Sequence, residues 1–165
     1  MSESSIAWSQ LVRPVTGKTT LTLAVQLTPQ ANECLSMVIM LDLSTSMRAN
    51  GRFAGAVDAL LKLVGEVLQS QDRVTVYGFS DAPVLLLEAA DAGPGTAQKL
   101  QEAILRAKVG GPSYWARALE VGVSAAVQFP KTAARAVLFI SDAHVTDGAG
   151  RQQPDGSSME SDLGR

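Results

Sequence analysis

Asp42, Ser44 and Ser46 place a carboxylate and two hydroxyls at alternate positions, directly after the apolar residues Met37 to Leu41. Asp and Ser are ordinary where a strand stops. The same three groups also begin a site for a hard cation or a phosphate. A second apolar run, Ala136 to Ile140, ends in Ser141 and Asp142, and a further hydroxyl, Ser113, lies in the Gly-Pro loop Val109 to Ser113 (VGGPS). Asp42, Asp142 and the hydroxyls of Ser44, Ser46 and Ser113 form an all-oxygen set. Sets of this kind select Mg2+, Mn2+ or Ca2+ over zinc or copper.

Whether these groups meet depends on the elements that carry them. TTLTLAVQL (Thr19 to Leu27) alternates and is rich in β-branched residues, predicting a strand with one buried face. LSMVIML (Leu35 to Leu41) is apolar throughout, as a central parallel strand covered on both faces must be. From Arg52 to Gln69 the period changes, and Phe53, Val57, Leu60, Leu61, Val64 and Leu68 fall on one helical face. RVTVYGF (Arg73 to Phe79) predicts another strand, with VLLLE (Val84 to Glu88) returning beside it as a hairpin partner. A loop with Thr96 as cap leads into a helix near Ala97 to Lys108, and a further helix runs from about Tyr114 to Phe129, ended by Pro130. AVLFI is the last strand. This order predicts an α/β, Rossmann-like three-layer sandwich with a mostly parallel central sheet and one antiparallel edge strand. Ligands in such sheets bind at the carboxyl ends of parallel strands, where strand order reverses. Asp42 and Asp142 share that crevice if their strands are neighbours.

Composition narrows the function classes. The chain has 165 residues, 46% hydrophobic and 18% charged, which suits a folded domain with its own core. A net charge of -2 without a Lys/Arg cluster argues against nucleic-acid binding by counterion release. One Cys and one His provide no Cys/His pattern for zinc and no internal disulfide. No apolar run reaches the roughly 18 residues of a membrane span. MSESSIAWSQ lacks the basic and apolar regions of a signal peptide, so the expected location is cytoplasmic. The expected organisation is an extension over 1–18, the domain over 19–146, and a polar, Gly/Ser-rich disordered tail over 147–165. On this reading the sheet stops before the last helix and strand that such folds normally add.

DLSTSM resembles the Asp-x-Ser-x-Ser pattern of the metal-ion-dependent adhesion site in von Willebrand factor type A domains. Those domains add a Thr from a Gly-rich loop before a helix and an Asp from a Thr-Asp-Gly turn after a later strand. Here the order is DLSTSM, then VGGPSYWARALE, then VLFISDA, and the resemblance covers about Leu35 to Asp142. The TLTLAVQLTPQ lead-in is similar to that of bacterial members related to calcium-activated chloride channel and inter-alpha-trypsin inhibitor domains. Counting from Gly111 puts Pro112 in the Thr position; counting back from Ala118 and Leu119 in the helix puts Ser113 there, and the helix register is preferred. Ser141-Asp142-Ala143 replaces Thr-Asp-Gly, while a literal Thr146-Asp147-Gly148 lies several residues past the strand, so Asp142 is preferred to Asp147. The resemblance implies direct contact of Ser44, Ser46 and Ser113 with Mg2+ (or Mn2+ or Ca2+), and contact of Asp42 and Asp142 largely through water. It implies a protein partner whose Asp or Glu completes the coordination, and no catalysis.

Two other readings compete. Haloacid-dehalogenase-type phosphoryl transfer also uses an Asp at the end of a first parallel strand, but its acid/base Asp two residues later is Ser44 here. No Walker loop or Gly-x-Ser-x-Gly elbow is present. The third reading is a metal-free scaffold making fixed protein contacts. His144, a lone loop histidine, is read as non-catalytic, and Tyr114 and Trp115 either line the rim of the site or pack the helix.

Overall fold

The computed structural model describes residues 9–15, 18–24, 34–131 and 133–142. Strands β1 (Ser9–Val15) and β2 (Lys18–Ala24) form an antiparallel hairpin, with Ser9 opposite Ala24 and Val15 opposite Lys18. β2 answers the alternating pattern from Thr19. β1 was not foreseen and falls in the segment read as an extension. Residues 25–33 and 143–165, including His144, Asp147 and the expected disordered tail, lie outside the described residues.

The main sheet has the order β5-β4-β3-β6. β3 (Leu35–Asp42) lies between β4 (Arg73–Phe79) and β6 (Ala134–Ile140) and is parallel to both. β5 (Pro83–Asp91) pairs antiparallel with β4, with two irregularities of register. The expected mostly parallel sheet with one antiparallel edge strand is therefore what forms. β3 carries the uninterrupted apolar run because both of its faces are covered. Ile39 and Leu41 face Leu60, Val64, Leu100 and Ile104 of the helical layer on one side, with Val74 and Val76 of β4. Val38 and Met40 face Phe79, Ala118, Ala126 and Phe129 on the other.

The first helical layer holds α1 (Arg52–Lys62), continued by a π-helical turn over Leu63–Val67, and α2 (Pro94–Arg106). The second holds α3 (Trp115–Val127). α2 begins earlier than expected, at Pro94, since proline suits a first helical turn. Thr96 is therefore not its cap: it lies inside the first turn, where its hydroxyl donates to Asp91 O at 2.7 Å. Because α1 connects β3 to β4 on one face and α3 leads into β6 on the other, strand order reverses at β3. The crevice at the carboxyl ends of β3 and β6 is the switch point, and Asp42 and Asp142 both stand there. No helix among the described residues is long and apolar enough to cross a membrane.

Candidate metal centre

Asp42 is the last residue of β3 and is fully buried. Burying a carboxylate is costly unless it is paired or hydrogen-bonded, and three donors meet this one. Ser44 N–H donates to Oδ1 at 2.8 Å. Ser113 Oγ donates to Oδ2 at 3.1 Å, and Ser141 Oγ donates to the same oxygen at 2.5 Å. From the other side of the loop, Ser44 Oγ lies 3.0 Å from Ser46 Oγ, and Ser46 Oγ donates to Asp142 Oδ1 at 3.1 Å. Ser46 thereby uses its one proton, so Ser44 is the donor within the serine pair. Asp142 Oδ2 accepts from Arg52 Nη1 at 2.6 Å. The five residues expected from the sequence thus form one connected cluster.

In the Gly-Pro loop it is Ser113 that reaches the cluster. It is buried (1% exposed), and its hydroxyl points at Asp42 across 71 residues of sequence. It does not cap α3, whose N-cap is Tyr114, without a side-chain capping bond. The loop reaches this position because it is fastened to the serine loop. Thr45 N–H donates to Gly111 O (3.0 Å) and Gly110 N–H donates to Leu43 O (2.6 Å). Thr45 Oγ1 accepts from Gly111 N–H at 2.9 Å and also donates to Gly111 O at 3.2 Å. Arg48 donates to Val109 O. Beyond the loop, Tyr114 N–H donates to Ser80 O at 3.0 Å. Gly110 (φ 142) and Gly111 (φ 96) adopt a region that other residues avoid, so the glycines let the loop make these bonds.

Four residues of this arrangement escaped the sequence reading. Ser141 was the nearest to legible, standing beside Asp142 where β6 ends. Thr45 and Arg48, in the 3-10 helical segment Thr45–Gly51, show no sign of a role until the Gly loop meets them. Arg52 enters through a kink: Asn50 (φ 54) and Gly51 (φ 70) are left-handed, turn the chain after Ala49, and start α1 with Arg52 as its first residue. Trp115 packs, stacking on Phe139 (ring centroids 5.2 Å apart) and meeting Phe79 edge-on (6.1 Å). At the end of β4, Ser80 Oγ donates to Asp81 at 3.0 Å and is the first cause holding that exposed carboxyl below its ordinary value; Ala82 N–H assists and burial opposes.

The donor chemistry fits a hard divalent ion. Among the described residues no three of His, Cys, Asp and Glu converge, so a soft or nitrogen-rich site is not available here. Two carboxylates with the hydroxyls of Ser44, Ser46 and Ser113 are what oxygen-seeking Mg2+, Mn2+ or Ca2+ accept.

A family model described as "von Willebrand factor type A domain" matches residues 37–144. The fold is similar to that of the pilus adhesin SpaC from Lactobacillus rhamnosus GG (TM-score 0.56, 20% identity, covering 71% of this chain and 16% of that one). It is similar to the VWA domain of SpRpn10 (TM-score 0.55, 14% identity, 69% and 62% covered). It is also similar to BatB, a conserved hypothetical protein from Bacteroides thetaiotaomicron (TM-score 0.52, 20% identity, 79% and 62% covered). The chain spans less than two thirds of each of these proteins. No curated protein sequence gives a significant match.

Proposed function

The chain belongs to the von Willebrand factor type A domain family, whose members generally serve protein interaction or adhesion, and from that premise we propose a divalent-metal-dependent protein-interaction domain. Ser44, Ser46 and Ser113 would hold Mg2+ by their hydroxyls, with Asp42 and Asp142 acting beside them. When bound, the ion supplies a Lewis-acidic position that an Asp or Glu of a partner completes, turning a weak surface contact into a charge-assisted one. Asp42 aims the Ser113 hydroxyl and the Ser44 amide, and Asp142 aims Ser46. The observation that carries this reading is Ser113: a residue distant in sequence is brought, buried, onto the carboxylate that opens the serine loop. The description of SpaC as a pilus adhesin accords with an interaction role.

Hydroxyl-rich sites with few direct carboxylates bind weakly, so Mg2+ or Mn2+ affinity is expected at roughly 0.1–1 mM. Calorimetric titration of the wild type and of Ser113→Ala tests this. Absence of metal binding by the wild type, or equal binding by both, refutes the proposal. A metal-free scaffold is the second reading, favoured by one observation: the chain Ser44–Ser46–Asp142–Arg52 is already closed by hydrogen bonds. Phosphoryl transfer ranks below both, because position 44 offers a hydroxyl where that chemistry needs a carboxylic acid.

A further inference from the structure

The Arg52–Asp142 pair is not surface decoration. The Asp142 side chain is only 7% exposed and that of Arg52 32%, and their 2.6 Å contact is the shortest ion pair among the described residues. Arg52 also stands where a helix least favours a cation, at the first residue of α1, whose first turn contains no acidic residue. The left-handed Asn50–Gly51 kink delivers it there. Asp142, reaching in from β6, supplies the anion that this helix start otherwise lacks.

We propose that Arg52 is the resident counter-cation of the centre: it holds the carboxylate cluster together without metal and weakens the site for a divalent ion. The inference rests on the metal-binding reading above. Asp42 and Asp142 bring two negative charges and Arg52 one positive, so a divalent ion takes the cluster to a net charge of +1. One carboxylate of a partner returns it to zero. Arg52 therefore makes metal alone a poor occupant and metal with an acidic partner a good one. Because the guanidinium sits on Oδ2 while Ser46 sits on Oδ1, it acts through charge without covering the oxygen that faces the serines.

The test is calorimetric Mn2+ titration of the wild type, Arg52→Gln and Arg52→Lys, with melting curves taken without metal. Arg52→Gln removes the charge: its metal-free melting temperature falls and its Mn2+ affinity rises about ten-fold or more. Arg52→Lys keeps the charge and binds Mn2+ within about three-fold of wild type. Equal or weaker Mn2+ binding by Arg52→Gln, in a wild type that does bind, overturns it. So does a ten-fold gain in Arg52→Lys, which keeps the test decisive if the Gln variant does not fold. Absence of Mn2+ binding in the wild type and both variants is a separate result, and overturns the metal-binding reading along with this one.

Discussion

Asp42 at the carboxyl end of β3 and Asp72 just before β4, at the opposite end of the sheet, are both buried, with 0% and 7% exposure. Their partners differ in kind. Asp72 grips main chain: Oδ1 accepts from Leu35 N–H and Oδ2 from Gln69 N–H, each at 2.9 Å. Its own carbonyl accepts from Ala92 N–H at 2.8 Å. These amides have fixed positions, and Asp72 ties the start of β3 to the turn before β4. Asp42 instead takes two of its three bonds from the Ser113 and Ser141 hydroxyls, which can rotate to present a lone pair to something else. A carboxylate held by amides is a piece of the fold. One held by rotatable hydroxyls can exchange a hydrogen bond for a ligand.

The sharpest way to break this contrast is at the structural end. Asp72→Ala leaves two amides without their acceptor and should cost about 2–4 kcal/mol in urea unfolding. The fold difference in metal affinity across the same variant should stay near one. Loss of Mg2+ or Mn2+ binding by a still-folded Asp72→Ala would mean that the two ends are not separable. At the site end, Asp42→Asn is nearly isosteric and keeps one acceptor, so a smaller stability cost of about 2 kcal/mol is expected without metal. Saturating Mg2+ should raise the melting temperature of the wild type and leave that of Asp42→Asn unchanged, since only the native state that binds is stabilised. Equal shifts in the two proteins would place the ion elsewhere.

Ser113 gives a finer cut. Ser113→Ala removes one of three donors to Asp42, and about 1 kcal/mol of stability is expected to go with it. Ser113→Thr retains the oxygen and should restore metal binding to wild-type level if the added methyl is accommodated. A loss of stability in Ser113→Ala that is the same with and without Mg2+, at unchanged metal affinity, would move Asp42 into the class of Asp72.

The contrast also marks what could be read beforehand. Asp42, Ser44, Ser46, Ser113 and Asp142 were legible because each stands where an apolar strand ends or a glycine loop opens, and such places converge in a parallel sheet. β3 and β6 were legible from their continuous apolar runs. β1 was not: SQLVRPV carries a proline, which argues against a strand unless it lies at an edge or start. Asp72 stood in plain view between a helix and a strand, but its role depends on Leu35, 37 residues away. Arg52 is 90 residues from Asp142, and nothing in its neighbourhood distinguishes it from a solvent-facing helix cation. Residue type and strand position point to the candidate ligands; only tertiary placement shows what holds them.

Thr45 is the mildest test of that last point, because it belongs to the fastening of the site and not to its donor set. Its Oγ1 accepts from Gly111 N–H and donates to Gly111 O, while its backbone N–H bonds the same carbonyl and is untouched by a change to Val. Thr45→Val keeps the β-branched shape and removes only the hydroxyl. The residue is exposed, so water can take over both lost partners, and about 0.5 kcal/mol of stability should go. The backbone bonds Thr45–Gly111 and Gly110–Leu43 continue to hold the loop, and Ser113 stays on Asp42. Metal affinity should therefore fall by no more than about three-fold, equivalent to under about 1 kcal/mol. A fall of ten-fold or more would show that the Thr45 hydroxyl, and not the main-chain bonds beside it, sets where Ser113 sits. The line between fastening and site would then run through Thr45, and side-chain hydroxyls outside the donor set would have to be counted with the ligands.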